Sequence, residues 1–183
     1  MSNLNEILQA IKILIKHGAK RKNITVLHCH TEYPTKLRDV NLLAMTTIKK
    51  ICNVDVGYSD HTPGSETGIA AAALGAKVIE KHITLNIKMS GPDHRASMEP
   101  KKFYEYVDSL RKTTTLLGSF LKKPTKAELK NMKLIRKSIV AMKNIKKGEI
   151  FSEKNIICKR PEGGISPMLW NNVLGKKSKK NFK

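Results

Sequence analysis

Apolar positions in the first two-thirds of the chain alternate between two periods. Leu4, Ile7, Leu8, Ile11, Leu14 and Ile15 fall three and four apart, which predicts a helix over 4–15. Asn3 with Glu6 has the form of a capping box at its start, and Gly18 suits its end. "ITVLHC" (24–29) then reads as a strand, and "HTEYPT" as a polar loop. A second helix is expected over 39–51, capped by Asp39, with Val40, Leu43, Thr47, Ile48 and Ile51 on one face. "VDVGYS" (54–59) is the next strand, followed by a small-residue helix over 67–75, "TGIAAAALG". "KVIEKHI" (77–83) is a third strand. A fourth helix over 100–117 starts on Pro100 and carries Phe103, Val107, Leu110 and Leu117 as its stripe.

Helices alternating with strands over short connections imply an α/β fold with a parallel sheet. Three strands are too few to close a barrel, and such a sheet has an uncovered edge. Near residue 119 the pattern changes. "SFLKKPTKAE" is rich in Lys and Pro and reads as a linker over 119–129, with Thr125 and Glu128 starting a short helical piece. The remainder, 130–183, has short segments punctuated by "KKG", "EGG" and "SP", the signature of a small, loop-rich domain. The expected organisation is therefore 1–118, a linker over 119–129, and 130–183.

Composition narrows the class. The chain has 183 residues, 40% of them hydrophobic, enough to bury a core. No apolar run is long enough to span a membrane, and no membrane partner is expected. The first eighteen residues read as an amphipathic helix and not as a secretory signal. Cys29, Cys52 and Cys158 lie far apart without a CxxC pair, which fits buried thiols in the reducing cytoplasm. The net charge of +20 raises the reading of a basic module for nucleic acid or another anionic polymer. Lysines are spread along the whole chain without paired stacking aromatics, so a solvated basic surface is favoured and nucleic acid is not the expected partner.

Chemistry gathers where the strands end. "VGYSDHTPG" (56–64) runs from an apolar strand into Ser59 and His61; "VIEKHIT" (78–84) runs into Glu80 and His82. Side chains two apart share a face, so Ser59 pairs with His61 and Glu80 with His82. Consecutive strands lie about 4.8 Å apart, and the carboxyl ends of parallel strands form the functional edge of such folds. Two imidazoles converging there can share one divalent metal, leaving positions open for water and substrate oxygens. The alternative is two unrelated polar residues at loop starts. Tyr33 follows the first strand, and Asp93 and His94 follow the third. Glu80 and Asp93 can accept hydrogen bonds from a polyol or an amide. Asp93, after Gly91-Pro92, is alternatively a turn-former. His28 reads as a core or supporting histidine, and His30 has no assigned role.

The blocks "TEYPT", "VNLLAM", "VGYSDHTPG", "AAALGAKVIEKHITL", "GPDHRASMEP" and "KRPEGGISPM" together resemble the sialic acid synthase family. The resemblance runs nearly end to end. It implies the C-terminal part of a (β/α)8 TIM barrel, about three strands, followed by a small antifreeze-like SAF domain. The family condenses phosphoenolpyruvate with an N-acetylated hexosamine, giving N-acetylneuraminate, legionaminate or pseudaminate. The enolpyruvate C3 attacks the open-chain aldehyde carbon; water then attacks C2 and phosphate leaves with C–O cleavage. "TEYPT" leans toward the neuraminate or legionaminate branch. Carried over by position, the resemblance makes His61 and His82 ligands of a divalent metal, Mn²⁺ first, with Mg²⁺ or Co²⁺ as alternatives. Glu80 becomes the catalytic carboxylate, contacting the amino sugar with Tyr33 and Asp93. Ser59 helps hold phosphoenolpyruvate, and Arg160 reaches from the small domain into the site of a domain-swapped homodimer partner. His30 and Glu162 depart from the family pattern, which has a small polar residue and a glycine there. The resemblance also places barrel strands one to five, with most phosphate-binding lysines, outside this chain. Three readings follow: a synthase component completed by a separate chain, a non-catalytic remnant or split-gene fragment, or a basic anion-binding module.

Overall fold

Asn3 accepts the backbone N–H of Glu6 at 3.1 Å while Glu6 accepts that of Asn3 at 2.6 Å, and this reciprocal cap starts helix α1, Leu4–Lys16. Gly18 follows it at φ +98°, a conformation glycine adopts without strain. The computed structural model describes all of residues 1–183, which form two units, Met1–Ser119 and Phe120–Lys183. In the first unit, α1 is followed by β1 (Thr25–Cys29), α2 (Leu43–Cys52), β2 (Asp55–Asp60), α3 (Glu66–Ala73), β3 (Ile79–Lys81) and α4 (Pro100–Leu117). The strands lie in the order β1-β2-β3, all parallel, as expected.

The register decides what faces where. His28 lies opposite Tyr58, and Cys29 opposite Ser59; Ser59 lies opposite Glu80, and Asp60 opposite Lys81. One face of the sheet therefore carries Val56, Tyr58 and Asp60, the other Gly57 and Ser59. The first face is the core side. Val56 and Tyr58 pack there with Ile11 of α1, Met45, Ile48 and Cys52 of α2, and Ala71 of α3.

Several elements differ from the sequence expectation. Asp39 caps nothing: it ends a 3-10 turn, Leu37–Asp39, and α2 starts at Leu43 without a side-chain cap. Of the expected face Val40 and Ile48 are buried, joined by Met45 and Cys52, while Leu43, Thr47 and Ile51 are exposed. The third strand is shorter than 77–83. Beyond Lys81 the chain leaves β2 and pairs instead with Met98, whose N–H donates to the His82 carbonyl at 2.9 Å. In α4 the deepest residue is Tyr106, and Leu117 is exposed. The Tyr106 hydroxyl packs so closely on Gly68 of α3 that a Cβ there would overlap it. Of the cysteines only Cys52 is fully buried; all three are free.

The second unit begins with α5, Lys126–Ile135, held by a Thr125–Glu128 capping box. Strands β4 (Ser138–Ala141) and β5 (Ile156–Lys159) then pair antiparallel. Ile139, Ile145 and Ile156 form a small core, packed by Phe151, Trp170 of α6 (Trp170–Val173) and Phe182. Neither unit has a helix long and apolar enough to cross a membrane.

Two outcomes follow from this packing. The hydroxyls of Tyr58 and Tyr106 are buried without a protein partner, and burial, reinforced by Asp60, pushes both phenols well above their ordinary range. A raised phenol pKa means the folded state holds its proton longer than the unfolded chain. The stability it supports is complete below about pH 10 and falls as pH rises beyond that. Tyr106→Phe should be neutral or up to about 1 kcal/mol more stable at pH 7. It should also move the midpoint of alkaline unfolding, followed by circular dichroism, upward. A loss of more than about 1 kcal/mol at pH 7 would mean that the hydroxyl is satisfied.

Strand β1 pairs only with β2, so its other edge is open, and its residues Thr25–Cys29 are only half-buried. An open, apolar parallel edge is a template for association. The isolated 183-residue polypeptide should elute from size exclusion as oligomers. A sharp monomer peak with a cooperative melt would overturn this.

Candidate active site at the strand ends

His61 and His82 lie one position beyond the paired ends of β2 and β3, on the face opposite the core. Their ring centroids are 5.1 Å apart with planes inclined at 62°. The His61 backbone is fixed by the Thr35 N–H, which donates to its carbonyl at 2.9 Å. Its Nδ1 lies 2.7 Å from the His30 carbonyl. A carbonyl only accepts, so Nδ1 carries the proton, and Nε2 is left with a free lone pair. The His61 ring is buried, whereas His82 is half-exposed.

Tyr33 closes one side of the pair. Its ring centroid is 4.1 Å from that of His61 and meets His82 edge-on at 5.7 Å. Its phenol is held above the usual value by desolvation first, and then by Cys29, Asp93 and Glu80. Glu80, across from Ser59, accepts the Ser59 hydroxyl proton at 2.6 Å. Asp93 sits in the left-handed region at φ +68°, so it serves the turn foreseen after Gly91-Pro92; its side chain makes no helix cap and is exposed. An open cleft of about 760 Å³ beside Tyr33 is bordered by Lys88, Met89, Asp93 and Arg95.

Six of the seven site residues lie in the first unit. Tyr33, Ser59, His61, Glu80 and His82 come together at the strand ends, and Asp93 lies on the adjoining loop. Arg160 belongs to the second unit, exposed, directly after β5. There the buried Ser138 hydroxyl accepts the N–H groups of Gly163 and Gly164, both at 3.1 Å, and donates to the Pro161 carbonyl. A Cβ at Gly164 would press on Ser138 and on the Ile139 carbonyl, so glycine permits this close approach. Glu162, the departure from the family pattern, pairs with Arg136 at 3.7 Å.

Sequence reasoning missed several contributors. His30 lends its carbonyl to His61. Cys29, taken as a buried thiol, is half-buried with Sγ 3.8 Å from His61 Nδ1. His28, by contrast, was read as a core or supporting histidine, and it does lie on the core face, where it bonds the Val40 carbonyl at 2.8 Å. Asp60 and Lys81 form an ion pair at 2.9 Å with side chains 0% and 1% exposed. Strand alternation could have found that pair, since both residues immediately precede the histidines. No third His, Cys, Asp or Glu joins the two imidazoles in a cluster able to hold a metal ion.

A run of parallel βα units with polar side chains converging at the carboxyl ends of its strands is the arrangement found in one part of a (β/α)8 barrel. The chain belongs to the NeuB family, which residues 1–122 match, and residues 136–183 match the SAF domain. It is 53% identical over its full length to the N,N'-diacetyllegionaminic acid synthase of Campylobacter jejuni, covering 55% of that protein. It is 41% identical to the enzyme of the same name from Legionella pneumophila, covering all of this chain and 52% of the relative. Among solved structures, the N-acetylneuraminic acid synthetase of Leptospira borgpetersenii, in complex with citrate, superposes with a TM-score of 0.65 at 33% identity. That match covers 72% of this chain and 45% of the other. The chain thus spans about half the length of the relatives it matches.

Proposed function

We propose that this chain supplies the metal-binding and acceptor-binding side of a nonulosonic acid synthase, which condenses phosphoenolpyruvate with an N-acetylated hexosamine. The observation that carries this reading is the convergence of His61, His82, Glu80 and Tyr33 at adjacent strand ends in a NeuB-family chain. Likeness to two N,N'-diacetyllegionaminic acid synthases favours the legionaminate branch for the acceptor. The remaining barrel strands come from a separate chain or a longer polypeptide. The assembly is a cytoplasmic domain-swapped homodimer.

The donor set fits a divalent cation with open positions. His61 and His82, with ring centroids 5.1 Å apart, would hold the ion, leaving its other positions to water and substrate oxygens. The hydrogen bond of His61 to His30 fixes the tautomer that leaves Nε2 free. Mn²⁺ is the ion of choice, with Mg²⁺ or Co²⁺ as alternatives, and when bound it polarises the acceptor aldehyde as a Lewis acid. Tyr33 covers His61 and keeps water from that side. Glu80, held by Ser59 through one oxygen, offers the other to a hydroxyl or amide of the sugar, and Asp93 does the same from its loop. Ser59 has one proton, spent on Glu80. Its contact with phosphoenolpyruvate therefore requires the hydroxyl to turn away from Glu80. Arg160 forks two hydrogen bonds to carbonyl or hydroxyl oxygens of the sugar, a geometry lysine cannot match.

The test completes the barrel by co-expression with the N-terminal half of the Campylobacter relative and follows phosphate release that depends on both substrates. His61→Ala and His82→Ala should each lower Mn²⁺-dependent turnover by about 10²-fold or more. Retained turnover in both would remove the metal assignment.

Arg160→Ala should lower condensation about tenfold or more, while Lys177→Ala changes it little. Equal effects would reduce Arg160 to general surface charge.

A further inference from the structure

We infer that the buried Asp60–Lys81 ion pair is a positioning device, which sets His61 and His82 from the reverse face of the sheet. The inference rests on the proposed reading of those histidines as the metal-binding pair. Asp60 and Lys81 lie opposite each other in the β2–β3 register, and each immediately precedes one of the histidines. Lys81 Nζ is 2.9 Å from Asp60 Oδ2 and also donates to the Thr62 carbonyl. Asp60 Oδ1 accepts both the Thr62 N–H, at 2.9 Å, and the Thr62 hydroxyl, at 2.7 Å. That hydroxyl lies 3.0 Å from the Thr67 hydroxyl at the start of α3. The residues on both sides of His61 are therefore tied to the residue preceding His82.

The pair cannot touch substrate. Its side chains are sealed from solvent and point to the core face, away from the histidines. Nor is an ion pair needed to fill the space, since apolar residues of similar volume commonly serve as well or better for stability. What charge adds is direction: the carboxylate and ammonium accept and donate at fixed angles, which Val or Ile cannot do. Outer partners of this kind orient ligating groups, and their loss typically costs about 10- to 100-fold in metal affinity.

The experiment uses the full chain, with assembly state matched by size exclusion. Mn²⁺ binding is followed by the electron paramagnetic resonance of the free ion, and ring tautomers by long-range ¹H–¹⁵N correlation spectra recorded without metal. The variants are the apolar pair Asp60→Leu/Lys81→Met and the milder Asp60→Asn, which keeps an oxygen for Thr62. The apolar pair should melt near the wild-type temperature, bind Mn²⁺ about 10- to 100-fold more weakly, and lose the pure Nδ1–H form of His61. Asp60→Asn should shift both readouts in the same sense by less, and it carries the test if the apolar pair does not fold. Wild-type Mn²⁺ affinity together with unchanged histidine spectra in a folded variant would overturn the proposal. If His61→Ala leaves Mn²⁺ binding intact while the variants still disturb the His61 tautomer, the metal reading fails and the positioning role stands.

Discussion

The register between β2 and β3 is the constraint on which the rest of the first unit depends. It sets Ser59 against Glu80 and Asp60 against Lys81 in successive positions, one pair on each face. A slip of one residue would bury Glu80 in the core and turn the ammonium of Lys81 toward the site. Such a slip breaks the buried ion pair, and stranding one partner of a buried pair costs roughly 3–5 kcal/mol. The sheet thus has a strong reason to keep one alignment. That alignment delivers the two histidines to the same side at the same height.

Much of this was legible in the sequence, because period-two alternation carries face information directly. Ser59 with His61, and Glu80 with His82, needed only strand geometry and the order of the elements. The face of α1 was read correctly except for Leu14, which is exposed, whereas the face of α2 was read less well. For α2 the apolar residues allow more than one face, and packing against Val56, Tyr58 and Ile11 buries Met45, Ile48 and Cys52. The capping boxes at Asn3 and Thr125 were recoverable because both halves of each interaction lie within four residues. The Asp39 cap failed because a lone Asp before an apolar run carries only one half.

Contacts through backbone atoms left no trace in residue type. The His30 carbonyl fixes the His61 tautomer, and any residue at position 30 could supply it. The departure of His30 from the family pattern therefore leaves this hydrogen bond intact. The same holds for the Thr35 N–H that grips the His61 carbonyl, tying the loop after β1 to the end of β2. Specificity of chemistry was written in side chains, whereas precision of placement was largely written in the main chain.

Ser138 spends its whole hydrogen-bonding capacity on the turn that follows Arg160, accepting twice and donating once. The shape of that turn is consequently held by hydrogen bonds within the second unit. In evolutionary terms the backbone turn after Arg160 travels with its own mounting. A gene rearrangement that moves the SAF module to a new neighbour carries that turn along with it, its backbone already held by Ser138.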